Sequence, residues 1–137
     1  MSTAENHDIA IVINDLGNGG TQRVFITIAN AWAEQGRRIC LITQATAETD
    51  FHHIDSRITR IVCDSIGNSN TVFEGAWNNI KRVADIRNAI SNANAPITIA
   101  AITPLAILSI IASIGLSTRL IVAERNDPSR QSFGLIW

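Results

Sequence analysis

An α/β fold built on a mostly parallel sheet is predicted by three features of the sequence. Short apolar runs of strand type recur along the chain, helical patterns of apolar residues separate them, and glycine or proline stands at most of the boundaries. The 137 residues suit one domain, and at that size a compact fold hides roughly two thirds of the surface that its unfolded chain exposes. Hydrophobic residues make up 46% of the chain and charged residues 17%, a balance that excludes disorder.

The first run, Asp8–Asn14 (DIAIVIN), reads as a strand, and Gly17-Asn18-Gly19-Gly20 breaks it. A helical pattern follows from about Thr21 to Gln35. Val24, Ile28 and Trp32 recur one turn apart, with Phe25 and Ala29 beside them, and predict the inward stripe. Gly36 stands where a helix C-cap is expected. Arg38–Thr43 (RICLIT) and Ile58–Cys63 (ITRIVC) read as the second and third strands, with a polar loop at 44–57 between them. After a turn cluster at Gly67–Asn70, a helix is predicted from Ala76 to Ala93, with Trp77, Ile80, Val83, Ala84 and Ile90 inward. Ile97–Ile102 reads as the fourth strand, Leu105–Ile114 as the next helix with Pro104 in its first turn, and Leu120–Ala123 as the fifth strand. Strands alternating with helices of this length imply βαβ units, hence a Rossmann-like three-layer domain with helices on both faces of the sheet.

Charge and composition exclude several classes of function. A net charge of −1 rules out binding to polyanions by bulk charge, so no nucleic-acid partner is expected. All the basic residues except Lys81 are arginines, whose forked guanidinium suits phosphate and carboxylate. Cys40 and Cys63 lie in apolar runs without CxxC spacing, which predicts two buried, reduced thiols in a cytoplasmic chain. Residues 1–8 are polar and no apolar stretch with a cleavage site follows, so no secretory signal is expected. The uncharged stretch between Arg87 and Arg119 is long enough to cross a bilayer. Pro96 and Thr103-Pro104 punctuate it, however, and Ile97-Thr98-Ile99 has β-branched strand character, so it reads as a buried strand, a turn and a buried helix. The last residues, Phe133-Gly134-Leu135-Ile136-Trp137, are apolar where termini are usually polar. Residues 1–137 are therefore expected to be a piece of a longer protein, or to be completed by a partner chain near Phe133–Trp137.

In an open parallel sheet, ligands bind outside the carboxyl ends of the strands. Two loops at that edge carry candidate chemistry. In the first, Asp15–Thr21, the glycines Gly17, Gly19 and Gly20 let a phosphate approach the backbone, and the helix that follows offers free N–H groups with Arg23 in its first turn. Gln22 stands where a dinucleotide fingerprint needs its third glycine, and Thr43-Gln44 lacks the ribose-binding acid, so an NAD enzyme is not expected. No Gly-Lys-Ser/Thr occurs, which excludes a P-loop. A tight turn without ligand explains this loop equally well. In the second loop, Glu124-Arg125-Asn126-Asp127-Pro128, a carboxylate, a guanidinium and an amide stand side by side, suited to hydroxyls or phosphates; the bland alternative is an internal ion pair ahead of a proline-led helix. His52-His53 between Asp50 and Asp55 has no further ligand at suitable spacing, so no metal site is expected. Trp32 and Trp77 fall on helical stripes and read as core.

These residues also carry a likeness to a known family. The run from Ile9 to Thr43, with Gly19-Gly20 and Arg23, then Ala29-Asn30-Ala31 and Gly36–Thr43, resembles the opening of family 4 glycosyltransferases. Val122–Pro128 resembles the Ser-Glu-Arg-Asn-Asp-Pro segment of bacterial polysaccharide-building members. Together the matches run in order from the first strand to Pro128. The chain departs from the family at Thr21-Gln22, where Ala-Glu is common, and at Glu124-Arg125, where many relatives carry a histidine.

The resemblance implies one half of a GT-B architecture, the amino-terminal, acceptor-side domain, with the carboxyl-terminal donor-binding domain absent from these residues. It implies a glycosyltransferase that moves a sugar from a nucleotide-sugar to a glycan or lipid-linked acceptor with retention of configuration and without a metal or other cofactor. By carry-over, Gly17, Gly19, Gly20 and Arg23 face the donor diphosphate, while Arg125 and Asn126 line the acceptor side; Glu124, Arg125 and Asn126 are the catalytic candidates. The resemblance further implies cell-surface polysaccharide synthesis at the cytoplasmic face of the plasma membrane. Lys81, Arg82 and Arg87, offset by Asp85, read as a solvated helix face capable of no more than peripheral membrane contact. Other classes remain open at this level: a non-catalytic binding half of a split glycosyltransferase, or a small α/β domain binding a nucleotide or phosphate at Gly17–Gly20.

Overall fold

The computed structural model describes residues 5–63, 72–101 and 103–123. Its elements run β1 (Ile9–Ile13), α1 (Gly20–Glu34), β2 (Ile39–Thr43), a short 3-10 turn (Ala47–Thr49), β3 (Thr59–Val62), α2 (Val72–Ala93), β4 (Ile97–Ala101), α3 (Thr103–Ala112) and β5 (Arg119–Ala123). All strand pairs are parallel, in the order β3-β2-β1-β4-β5. Ile11 of β1 stands level with Leu41 on one side and Ile99 on the other. The chain thus leaves β1 towards β2 and β3, then crosses back to β4, which makes the β1/β4 junction the point where the winding reverses.

Alternation along the strands divides the core between the two faces. Ile9, Ile11, Ile39 and Leu41 pack with Phe25, Ile26 and Ala29 of α1. Ala10, Val12, Cys40 and Ile42 pack with Ile86, Ala89, Ile90 and Ala93 of α2 and with Leu105, Leu108 and Ala112 of α3. The result is three layers, a Rossmann-like α/β fold. β1 is buried along its whole length, which is why it reads as a continuous apolar run rather than an alternating one.

The helix ends have local causes. α1 stops at Gly36, whose φ of +85° suits a residue without a Cβ. The Gly36 N–H donates to Ala33 O at 3.0 Å and the Arg37 N–H to Trp32 O at 3.0 Å, the paired bonds of a Schellman cap. At the end of α3, Gly115 takes φ +80°, and Arg87 of α2 donates to the carbonyls of Ala112 (3.0 Å) and Ile114, closing groups that the helix leaves open. The buried His7 donates from Nδ1 to Ala93 O at 2.8 Å and so ties the chain ahead of β1 to the end of α2.

Several helical faces differ from the sequence expectation. In α1 the buried residues are Phe25, Ile26, Ala29 and Ala33, while Val24, Ile28 and Trp32 are half-buried, so the inward stripe is rotated by about one residue. In α2, Val83 packs against the core and Ile90 is buried as expected, but Trp77 is 59% exposed, Ile80 is 60% exposed and Ala84 is exposed. An apolar stripe announces that a helix has a sticky face without saying what covers it. α3 begins and ends two residues earlier than expected, and α2 begins four residues earlier. Among the described residues no helix is long and apolar enough to cross a membrane, in line with the strand–turn–helix reading of the uncharged stretch.

Candidate functional site

Gly17, Gly19, Gly20 and Arg23 are brought together at the carboxyl end of β1, beside the point where the winding reverses. Leu16 is fully buried and anchors the loop from below. Asp15 organises it: its Oδ1 accepts the Gly17 N–H at 2.8 Å, an Asx turn, and also the Gln22 side-chain amide at 3.2 Å. Gly19 occupies the N-cap of α1 with φ −79° and ψ 157°, ordinary extended backbone. Its carbonyl accepts the Arg23 N–H at 3.0 Å, the first bond of the helix.

Two features of this helix start bear on ligands. No side chain caps it, and its first turn contains no acidic residue, so the leading N–H groups are left to whatever lies outside. Neither Gly19 nor Gly20 has a positive φ; among the described residues the left-handed glycines are Gly36 and Gly115. The two differ in their surroundings. A Cβ on Gly19 would collide with the flexible end of the Gln22 side chain, whereas a Cβ on Gly20 would meet nothing within 4 Å. Gly20 is therefore required neither by backbone conformation nor by internal packing, which leaves an open approach to the backbone. Arg23 is exposed, and among the described residues its guanidinium has no hydrogen bond or ion pair.

The loop that leaves β2 forms the second wall. The N–H groups of Gln44 (3.0 Å) and Ala45 (2.9 Å) donate to Asn14 O, and the Phe51 N–H donates to Leu16 O at 2.9 Å, which holds residues 44–51 against the glycine loop. Arg60 of β3 braces them from below. Its Nε donates to Thr43 Oγ1 and its Nη2 to Ala45 O, both at 3.2 Å, while Nη1 pairs with Asp50. Gln44 Nε2, Asp50 Oδ1 and His52 Nε2 are buried with no hydrogen-bond partner among the described residues. Buried polar groups of this kind are usually satisfied, by water or by a ligand. Asn30 fixes the far end of the loop, donating from Nδ2 to His53 O and accepting the Asp55 N–H, both at 2.9 Å.

Most of these supporting residues escape sequence reasoning, because Arg60 and Asn30 look like solvent-facing positions until β3 and α1 are placed beside the loop. One signal was legible: Asp15 two residues ahead of Gly17 has the spacing of an Asx turn. Glu124, Arg125 and Asn126 lie outside the described residues, as does the apolar segment Phe133–Trp137; β5, which precedes them, ends at the same sheet edge as β1. Among the described residues no three His, Cys, Asp or Glu side chains converge as a metal site. The Arg57 guanidinium and backbone N–H hold the Asp55 carboxyl far below the usual carboxylate range, so this acid is spent on fixing the loop.

The fold and this edge define a Rossmann-like α/β unit with an uncapped, glycine-rich helix start at the reversal of the sheet. No protein-family profile matches the sequence, and no curated protein does. The structure is similar to the crystal structure of a glycosyltransferase from Rickettsia africae ESF-5, with a TM-score of 0.58 at 21% identity over 85% of this chain. That likeness establishes a glycosyltransferase-like fold. The chain spans 29% of the length of that protein.

Proposed function

We propose that the chain is the acceptor-side half of a glycosyltransferase of GT-B type, resembling family 4. In this reading a sugar moves from a nucleotide-sugar to a glycan or lipid-linked acceptor with retention, in cell-surface polysaccharide synthesis at the cytoplasmic membrane face. The observation that carries the proposal is the uncapped start of α1, with Gly20 open, at the carboxyl edge of the sheet beside β4. A departing nucleoside diphosphate gains charge in the transition state. Backbone N–H groups at a helix start, together with the Arg23 guanidinium, offset that charge without a metal ion. Gly17 and Gly19 shape the loop so that Gly20 can be approached. The buried polar atoms of Gln44, Asp50 and His52 lie on the neighbouring wall, where sugar hydroxyls would supply the missing partners. Glu124, Arg125 and Asn126 take the acceptor side, and a second domain or partner chain brings the rest of the donor site.

Titration of the full chain with nucleoside diphosphates and nucleotide-sugars, monitored by calorimetry, tests the reading. Weak binding is expected, lost in Gly20→Leu and reduced in Arg23→Ala while both variants keep the wild-type circular dichroism. Binding that survives Gly20→Leu would remove the loop from the donor site. Turnover by the isolated chain is expected to stay well below about 1 s⁻¹, an ordinary enzymatic rate. Turnover at that rate or faster would overturn the half-site reading.

A further inference from the structure

At the amino ends of the strands, the sheet edge away from the glycine loop, lies a polar cavity of about 320 Å³ lined by Glu5, Asn6, His7, Arg38, Arg57 and Thr59. Parallel pairing gathers these residues from three places in the chain. His7 lies two residues ahead of β1, Arg38 directly ahead of β2, and Thr59 opens β3 in register with Cys40. Arg57 stands two residues before Thr59.

Their chemistry converges on an oxyanion. Each arginine is steadied by a carboxylate that does not line the cavity. Arg57 donates from Nε (2.9 Å) and Nη2 (2.6 Å) to Asp55, and Arg38 from Nη2 to Asp8 Oδ1 at 3.5 Å. Nη1 of Arg57, and Nε and Nη1 of Arg38, make no hydrogen bond among the described residues and remain as donors. The His7 side chain is only 5% exposed, and its Nδ1 is spent on Ala93 O. Its Nε2 makes no hydrogen bond, with Glu5 Oε2 standing 3.8 Å away. A buried nitrogen of this kind usually has a partner.

Glu5 fills the cavity poorly. Its side chain is 72% exposed, the Thr59 hydroxyl reaches its Oε2 only at 3.4 Å, and it makes no ion pair with either arginine. A carboxylate presents its oxygens in one plane, whereas a phosphate presents them tetrahedrally and meets donors on several sides. A phosphate also suits His7 in either protonation state. It accepts from an imidazolium, or donates a retained proton to a neutral Nε2, which an ionised carboxylate cannot do.

We infer that this cavity binds a phosphate group, as the free ion or as a monoester. Arg38 and Arg57 neutralise it, Thr59 donates to it, His7 Nε2 shares a proton with it, and Glu5 is displaced as the site fills. The inference is independent of the glycosyltransferase reading, whose site lies at the carboxyl edge of the sheet.

Calorimetric titration of the full chain with inorganic phosphate, methyl phosphate and acetate tests it. Phosphate is expected to bind with a Kd of about 1 mM or tighter, and acetate about tenfold or more weakly. Glu5→Gln removes the competing carboxylate and should tighten phosphate binding by about threefold or more. Thr59→Val should weaken it by about threefold or more, and Arg38→Gln combined with Arg57→Gln by about tenfold or more. Glu5→Gln and Thr59→Val leave both arginine–aspartate pairs in place, so the test stands even where the double variant loses its native circular dichroism. Gly20→Leu, at the other edge, should leave this binding unchanged. Methyl phosphate separates the two sources: bound as well as phosphate, it assigns the site to a monoester, and refused, to the free ion, either of which supports the inference. Absence of phosphate binding overturns it, as does acetate bound equally well. Affinity indifferent to Glu5→Gln and Thr59→Val overturns it as an adventitious ion only. Binding that disappears in Gly20→Leu overturns it in favour of phosphate at the start of α1.

Discussion

Gly20 and Gly36 are both glycines at helix ends, yet physics asks different things of them. At Gly36 the +85° φ excludes most side chains, so Gly36→Ala should lower stability by about 1 kcal/mol in a denaturant titration. At Gly20 a Cβ meets open space, so Gly20→Ala should not lower stability in the same experiment, and any loss would have to appear in ligand binding. The sequence marks both as glycine punctuation and cannot separate the structural one from the one that leaves space.

Titratable residues give the folded state a pH window. Burial pushes the Cys40 thiol up to about 12 and the Cys63 thiol up to about 11, with smaller contributions from Glu5 and Asp85. Folding therefore favours the protonated thiols. The stability they contribute is complete below the unfolded thiol value of about 9 and is lost as pH rises from there towards 11–12. Both should also resist alkylation at neutral pH, as measured by mass spectrometry of the native protein. On the acid side, the Arg38 backbone N–H lowers the Asp8 carboxyl and the Arg57 side chain lowers that of Asp55. Their contribution is present above the unfolded value of about 4 and is lost as pH falls through that range. Thermal melts across pH should show both flanks.

Between elements, the loops of the candidate site are held by side chains from the core scaffold. Asn30 of α1 makes two 2.9 Å bonds to the 53–55 backbone. Asn30→Ala should cost about 1–2 kcal/mol and speed hydrogen exchange at residues 53–55 more than in β1. Arg60 and Asp50 are largely buried as a pair, with 16% and 19% of their side chains exposed. Arg60→Ala leaves Asp50 short of its partner and should cost about 2 kcal/mol, read by denaturant titration. Strand and helix positions were legible from apolar periodicity to within a few residues, because that signal is local. Which neighbour receives a polar side chain was not, because Asn30 and Asp55 lie 25 residues apart.

At the scale of the whole molecule, burial falls from the centre of the sheet outward. β1 is buried at every position, whereas most of β5 is exposed, including Ile121 and Val122. Native-state hydrogen exchange should accordingly be slowest in β1 and fastest in β5. The same gradient identifies the surfaces where something else is expected to pack. The β5 edge and the α2–α3 face are apolar for different reasons. One is a strand whose outer side has no partner among the described residues, and the other is a helix row whose inner side is already satisfied.

The order of strands and helices, the parallel sheet and the glycine-rich turn after β1 follow from the sequence itself, since each rests on residues close together in the chain. The helix faces that meet the core, the bracing of the 44–55 loop and the openness above Gly20 depend on the tertiary structure. A helix with more apolar surface than one core can cover has several rotations that satisfy local rules. Only packing against the sheet selects one, and in α2 that selection left Trp77 and Ile80 on the outside.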